Sequence, residues 1–301
     1  MSESAVGGIV LVNKHAGVTS NDVVQKLRRL YGTRQIGHTG TLDPMATGVL
    51  PVLIGRAVKA SEFITAENKR YTAEMRLGIE TDTEDTTGTV LRECSEIPDE
   101  AAVLSACASF VGEIGQVPPM YSALKVGGRK LVDLAREGIT VERQARSVTI
   151  HRLTAQRITD DTYRLDVRCS KGTYIRTLCA DIGKKLGCGA AMSALTRTES
   201  GPFSLTDAVT VAQLEEMQPD GRAALLLPLE EYFLELPAVV LPEFYARLAR
   251  NGCEIYQSKI RTALSDGALV RLYRADEFFA LGRVAEYPAG SAVKAVKIFA
   301  L

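Results

Sequence analysis

Four side chains in this sequence carry the types and spacing that chemistry needs: the carboxylate of Asp43, the imidazole of His38, the phenol of Tyr71 and the guanidinium of Arg176. Asp43 is the single acid of Gly37-His38-Thr39-Gly40-Thr41-Leu42-Asp43-Pro44-Met45-Ala46-Thr47-Gly48-Val49-Leu50. Glycine at this density allows backbone to approach backbone or ligand closely and supplies positive φ for tight turns. Pro44 biases Asp43 toward an extended conformation and away from a helix, so the acid is expected on a loop, facing a substrate as nucleophile or base. An isolated Asp-Pro fits equally well a turn whose aspartate bonds its own backbone, so the flanking residues have to decide.

Arg176 lies in Ser170-Lys171-Gly172-Thr173-Tyr174-Ile175-Arg176-Thr177-Leu178. Ile175, Leu178, Cys179, Ile182 and Leu186 mark one face of a helix that Thr173 would cap and Gly187 would end. That register puts Tyr174 and Arg176 in the first turn, where the helix dipole disfavours a cation. A nearby carboxylate would offset this, and Asp43 is the candidate. Tyr71 opens a period-two run in which Tyr71, Ala73, Met75 and Leu77 share one face of a strand. Periodicity alone reads it as a core residue.

The elements that must position these groups follow from pattern. Ile9 to Val12 reads as a buried strand, with Lys14 opening the loop after it. Thr19 or Ser20 caps a helix carrying Val23, Val24, Leu27 and Tyr31 and stopped by Gly32. Lys26, Arg28 and Arg29 on its other faces read as a solvated surface. Val49 to Ile54 is strand-like despite Pro51, which suits an edge or a strand start, and Gly55 to Ala66 looks helical. Thr81 to Thr89 is a polar, acidic loop. Its Asp85-Thr86-Thr87-Gly88-Thr89 is set aside as a phosphorylated-aspartate motif, because that chemistry needs the acid at the end of a buried strand. Pro98-Asp99 starts a helix over Val103, Leu104, Cys107, Phe110 and Val111.

Residues 118 to 152 form a distinct insertion, locally basic through Lys125, Arg129, Lys130, Arg136, Arg143, Arg146 and Arg152 against Asp133, Glu137 and Glu142. Gly127-Gly128 gives it a hinge or turn. Strands are expected at Val148 to Leu153 and Tyr163 to Cys169. Residues 228 to 242 read as a Pro-bearing connector. A short helix near Gly252 and strands at Ala268 to Tyr273, Phe278 to Val284 and Val293 to Phe299 suggest a small barrel.

Composition narrows the class. The chain has 301 residues, 46% hydrophobic and 24% charged, enough for one large domain and a small one. Lys+Arg 36 against Asp+Glu 36 argues against a tail-driven nucleic-acid binder. It leaves an RNA enzyme open, because attraction to phosphate depends on local clustering. No apolar run approaches a membrane span, and Met1-Ser-Glu-Ser lacks a signal-peptide layout. Six cysteines without C-x-x-C spacing read as reduced cytosolic thiols, and His15, His38 and His151 make no metal site by spacing.

The Asp43 segment, G-H-T-G-T-L-D-P-x-A-T-G-V-L, resembles the catalytic segment of TruB-type tRNA pseudouridine synthases. Lys69-Arg70-Tyr71, the S-K-G-T-Y-I-R-x-L of residues 170 to 178 and the L-x-R-x-x-x-G-x-F of Leu195 to Phe203 are similar to the same family. The likeness runs from about Gly8 to Phe203, with a weaker C-terminal match. It implies an α/β (α+β) fold with a mixed, largely antiparallel central sheet, flanking helices and a catalytic cleft, plus a small C-terminal β-barrel of PUA-like type. The implied domains are 1–235, catalytic, and 236–301, RNA-binding.

The implied activity isomerises a uridine, position 55 in the T-arm loop of tRNA, to pseudouridine. That reaction breaks the N1–C1′ bond, rotates the base and rejoins it through C5, with attack on C1′ or on the base ring both open. It needs no cofactor and no metal. The family resemblance makes Asp43 the nucleophile, Tyr71 the ring against the base and Arg176 the partner of Asp43. Tyr174 and Leu195 would complete the pocket. His38 would fill the space left by the flipped base, with a general-base role and a purely structural one as alternatives. Lys14 and Asp85 are candidate substrate contacts, and Lys125, Arg129 and Lys130 belong to a basic arm closing on phosphates. Asn13 and His15 stand where the family has Asp and Pro, which weakens any role for Lys14. The expected partner is tRNA alone: a cytoplasmic monomer of the stand-alone type, with no membrane and no obligate protein partner. An RNA-binding factor without turnover is the competing class, but it has no use for a buried acid facing phosphate-rich RNA.

Overall fold

The continuous apolar run Ile9 to Val12 forms strand β1 (Gly8–Lys14) of the computed structural model, which describes residues 7–65 and 68–300. Thr19 caps helix α1 (Ser20–Leu30) through a reciprocal capping box with Asp22. β2 (Ile36–His38) leads into the glycine-rich loop and β3 (Thr47–Ile54) leaves it. β1 and β3 pair antiparallel from Gly8↔Ile54 to Lys14↔Gly48. Val10, Val12, Leu50 and Val52 enter one core while Ile9, Leu11, Val49 and Leu53 enter another. Strands covered on both faces read as unbroken apolar runs, which is why no alternation marks them.

Pro51 is not at an edge. β3 lies between neighbours, and Pro51 sits where its pairing with residues 196–197 has ended and pairing with β2 begins. Its carbonyl accepts from Thr39 on that side, so its missing N–H falls in a gap of the ladder. A 3₁₀ turn over Gly55–Ala60 and helix α2 (Ser61–Thr65) follow. Ala66, the expected end of that helix, lies outside the described residues, as does Met1-Ser-Glu-Ser.

β4 (Lys69–Leu77) alternates buried and half-exposed as its sequence dictates. β5 (Ile79–Thr81) and β6 (Val90–Glu93) bracket the acidic loop. Asp99 caps α3 (Glu100–Ala108), which ends before Phe110 and Val111, and β7 (Gly112–Gln116) enters the main sheet. The basic insertion leaves the sheet at Gln116 and rejoins it at Arg146, where the two residues pair. It holds a two-stranded hairpin, β8 (Lys125–Val126) and β9 (Arg129–Lys130), and helix α4 (Leu131–Arg136). Its expected end at residue 152 is corrected, because β10 (Arg146–Arg157) is a full strand of the sheet. β11 (Thr162–Cys169), α5 (Ile175–Leu186) and β12 (Ala190–Ser200) come next. Short elements β13 (Phe203–Ser204), β14 (Val209–Thr210), α6 (Val211–Glu216), α7 (Pro219–Ala224) and α8 (Leu229–Tyr232) close the first body.

The main sheet runs β14-β1-β3-β12-β4-β11-β10-β7, with β13 on β12 and β2 on β3. Its β1/β14 and β3/β12 pairs are parallel and the rest antiparallel, the mixed, largely antiparallel sheet expected. α1, α3, α5 and α6 supply Leu27, Val103, Leu178 and Leu214 to the core on one face.

Beyond residue 236 the expected connector is itself structured: β15 (Ala238–Leu241) pairs parallel with a later strand. α9 (Glu243–Arg250), β16 (Ile255–Tyr256), β17 (Leu269–Arg274), β18 (Glu277–Tyr287) and β19 (Gly290–Ile298) follow. The sheet order is β15-β17-β18-β19-β16, with β15 and β16 at its two ends. The small barrel is thus a half-barrel with its own core of Val239, Leu241, Val270, Leu272, Phe279 and Val293. Phe233 joins the two bodies. Its ring lies edge-on to Phe63 at 5.9 Å and stacks on Phe299 at 6.4 Å. No described helix is long and apolar enough to cross a membrane. Replacing Phe233 by Ala should cost about 3–5 kcal/mol in urea unfolding. A loss under about 1 kcal/mol would show that this ring does not hold the joint.

Candidate active site

The loop after β2 is held from below by buried polar groups. Ser20, the first residue of α1, donates through Oγ to Leu42 O at 3.1 Å and accepts from Leu42 N at 2.9 Å. Lys14 has no exposed surface, and its Nζ donates to His15 O, Val18 O and Pro44 O at 3.0, 2.8 and 3.2 Å. Arg197 on β12, 1% exposed, donates to Val49 O at 2.8 Å and Gly40 O at 3.1 Å. Gly48 is required there: its φ is +111°, and a Cβ would lie 2.2 Å from Arg197 O. The loop is thus pinned just before Asp43, just after it, and at both ends.

Arg176 meets Asp43 through a two-pronged contact, Nε to Oδ2 at 2.8 Å and Nη2 to Oδ1 at 3.1 Å. Nη1 donates to Thr83 O at 2.9 Å and Nη2 also to Tyr121 O at 2.8 Å. A second acid, Asp85, brings Oδ2 to 3.8 Å from Nε. The guanidinium and Asp85 are buried, at 4% and 8% side-chain exposure, whereas Asp43 is 34% exposed. Two carboxylates and two carbonyls therefore offset the helix dipole that disfavours a cation in this turn, and Asp43 keeps an open side. The cap is supplied differently from expectation. Gln116 accepts from Tyr174 N at 2.8 Å and donates to Tyr174 O at 3.0 Å, while Thr173 Oγ1 donates to Ser170 O at 2.9 Å.

Tyr71 on β4 is opposite Arg197 in the ladder, and Leu195 is opposite Ala73. Tyr71 and Leu195 are 8% and 7% exposed. Burial pushes the Tyr71 phenol up, and the positive charge of Arg197 counters part of that. Burial also raises Tyr174, and the charge of Asp43 acts on both rings. His38 is half-buried, and its Nδ1 is buried with no hydrogen-bond partner. Burial, reinforced by Arg197, lowers its pKa and favours the neutral ring. Asp43 and Arg176 are thus in direct contact, the Asp43 charge reaches Tyr71 and Tyr174, Leu195 lies two residues before Arg197 on β12, and the Arg197 charge reaches His38.

Two expected contacts, Lys14 and Asp85, are placed otherwise. Lys14 is a strut under the loop, with its ammonium fully committed to carbonyls. Asp85 faces inward, its Oδ1 accepting from Thr83 Oγ1, Thr87 N and Thr87 Oγ1 at 2.9, 3.0 and 2.5 Å. It orients Arg176 and presents no open carboxylate. Lys125, Arg129 and Lys130 are exposed on the hairpin, and Arg129 is paired with Glu137 within the arm. Arg197, Gln116 and the carbonyls of Thr83 and Tyr121 were not anticipated. Arg197 left a trace, since it shares the inward parity of Leu195 and a cation there demands acceptors. Backbone carbonyls leave none. An apolar cavity of about 450 Å³ lined by Ile9, Leu11, Phe203, Leu225 and Tyr232 shares no residue with this cluster.

The Asp43 carboxylate is fixed by a guanidinium fork and keeps one side open to solvent. The class is set first by shape. Over 97% of this chain the fold matches a chain in a crystal structure of a Cbf5-Nop10-Gar1 complex, at TM-score 0.71 and 27% identity, covering 84% of that chain. It also matches a chain of an H/ACA RNP bound to a substrate RNA containing 2′-deoxyuridine, at TM-score 0.70 and 25% identity, covering 98% of this chain and 85% of that one.

Residues 28–175 match the TruB family pseudouridylate synthase N-terminal domain, and residues 176–234 match the tRNA pseudouridylate synthase B C-terminal domain. The tRNA pseudouridine synthase B of Alkaliphilus oremlandii is 43% identical over 93% of this chain and 93% of its own. That of Burkholderia mallei is 45% identical over 92% of each. The chain belongs to the TruB family of pseudouridylate synthases and is an isomerase.

Two outcomes follow from the geometry. Arg176→Met should lower stability by about 3–5 kcal/mol in urea unfolding, because it strands a buried carboxylate. Adding Asp85→Asn should recover more of that loss than adding Asp43→Asn, since Asp43 already meets solvent. Equal recovery would contradict the inward placement of Asp85. The second outcome concerns Lys14. Burial pushes its ammonium down to about 8 from 10.5, an effect that the Asp43 charge opposes and Arg197 reinforces. Between those values the unfolded chain binds the extra proton, so this group's contribution to stability improves as pH rises through that window. The stability of wild type relative to Lys14→Met should therefore increase from pH 8 to pH 10. A flat or falling difference would show that Lys14 is not desolvated.

Proposed function

We propose that this chain converts uridine 55 in the T-arm loop of tRNA to pseudouridine, with Asp43 as nucleophile. The observation that carries the reading is the two-pronged Arg176–Asp43 contact, with the carboxylate 34% exposed on its other side. One lone pair on each oxygen is engaged by the fork, which fixes the plane of the carboxylate and leaves the outer lone pairs for attack. The uridine leaves its stack at a cost of about a few kcal/mol. His38, neutral and half-buried, fills the vacated space. Tyr71 stacks on the extruded uracil, with Tyr174 and Leu195 as walls that keep the detached base in place.

Rejoining through C5 requires a proton to leave C5 and one to reach N1. Burial keeps the Tyr71 phenol protonated, and the Arg197 guanidinium at its side chain would stabilise the phenolate formed during transfer. Because the base is retained and reattached, the reaction draws on no cofactor. The arm with Lys125, Arg129 and Lys130 closes over the backbone of the RNA, and Tyr121 ties the arm to Arg176. The half-barrel of residues 236–301 acts as a PUA-like RNA-binding module beside the 1–235 catalytic body. Relatives bearing the name tRNA pseudouridine synthase B, 40–45% identical over nearly their whole length, support tRNA as substrate. In this reading the chain works as a stand-alone cytoplasmic monomer without an obligate protein partner.

Asp43→Asn should abolish pseudouridine formation in a T-arm transcript, read by chemical mapping of the modified base, while RNA affinity stays within a few-fold of wild type. Turnover by that variant would remove Asp43 from the mechanism.

A further inference from the structure

The last turn of α1 and the loop after it bring three arginines, Arg28, Arg29 and Arg34, around one open cleft of about 540 Å³, completed by Gln25, Gly32 and Thr33. In a chain with 36 basic and 36 acidic residues, this cleft has no acid in its wall. Nearby acids are engaged elsewhere: Asp22 in the capping box of α1, Glu215 with Lys26 at 2.5 Å. Arg28 reaches only Gln25 Oε1 at 3.3 Å, and its Nε is buried without a partner. Among the described residues, the side chains of Arg29 and Arg34 form no hydrogen bond and no ion pair.

The helix dipole explains a cation at the C-terminal end of α1, but it does not account for Arg34, which lies beyond the helix and faces the same cleft. Three converging guanidiniums without a carboxylate repel one another, and a bound anion would relieve this. Guanidinium forks match phosphate oxygens two at a time. The cleft also lies close in sequence to the glycine-rich loop. Only three residues separate Arg34 from His38 along the run into β2, a span of at most about 14 Å.

We propose that this cleft binds the sugar-phosphate backbone of the same RNA that offers its uridine to Asp43, at phosphates next to the target loop. This deepens the proposed function and rests on it for the identity of the RNA. The cleft gives the neutral protein a second basic contact besides the arm, so the RNA is held at more than one point while a base is extruded.

The test is fluorescence anisotropy with a labelled T-arm stem-loop, between 50 and 200 mM salt, comparing wild type with R29Q/R34Q and R28Q/R29Q/R34Q. Both residues of the double variant are exposed, so it keeps the test valid if the triple variant folds poorly. Each lost phosphate contact should flatten the plot of log Kd against log salt by about 0.7–0.9, with affinity near 100 mM salt falling about tenfold. An unrelated hairpin of equal length should show the same loss. Unchanged slopes and affinities would overturn the proposal. So would a loss confined to the T-arm sequence, which would mean base contacts. A third adverse result is a cleft whose substitution alters binding of inorganic phosphate alone. Assaying wild type for pseudouridine on the same RNA separates the two readings. No product with the slope change intact removes the Asp43 assignment and leaves the cleft. Product with unchanged slopes removes only the cleft.

Discussion

A guanidinium in the first turn of a helix is electrostatically misplaced, and the catalytic region is organised around correcting that. Arg176 arrives at the N-terminus of α5 with the helix dipole against it and is almost wholly desolvated. Asp43, Asp85 and the carbonyls of Thr83 and Tyr121 supply the compensation, and they come from three separate segments. The glycine-rich loop, the acidic loop and the base of the basic arm are therefore tied to one cation. The two acids differ in setting: Asp85 is buried against the guanidinium, and Asp43 keeps one side open to solvent.

The same device recurs beneath the loop. Lys14 and Arg197 are also buried cations, and each is satisfied mainly by backbone carbonyls. A carbonyl has no charge to lose and no side-chain freedom to give up, so a buried cation held by several of them is a rigid fixture. Such fixtures hold a glycine-rich segment still without occupying its open side. A loop that must approach RNA closely cannot be stiffened by bulky residues above it, and these cations stiffen it from below.

Net neutrality and RNA chemistry are reconciled by where the charges fall. On the solvent face of the sheet Arg70 is matched by Asp166 and Glu199, and Arg76 by Asp161. Those pairs leave little field. On the hairpin Lys125 and Lys130 are directly opposite each other, and Arg28, Arg29 and Arg34 line the cleft at the end of α1. Like charges in register destabilise a hairpin in water, so their retention there fits a polyanionic partner.

Local information in the chain was sufficient for most strands and helices, for the loop character of Asp43 and for the Arg176–Asp43 pairing. Alternation, capping residues and the dipole argument act over a few residues and are written in the order of side chains. What depended on tertiary structure was the role of residues whose neighbours are distant in sequence. Pro51 became tolerable inside a sheet because two partner strands leave a gap opposite it. Lys14 and Asp85 turned inward because carbonyls and hydroxyls from other segments wait for them there. Arg197 became a pillar because Gly40, Val49 and Tyr71 converge on β12. The barrel proved half a barrel because its end strands are not brought together. Periodicity records which way a side chain faces, but long-range packing determines what it meets.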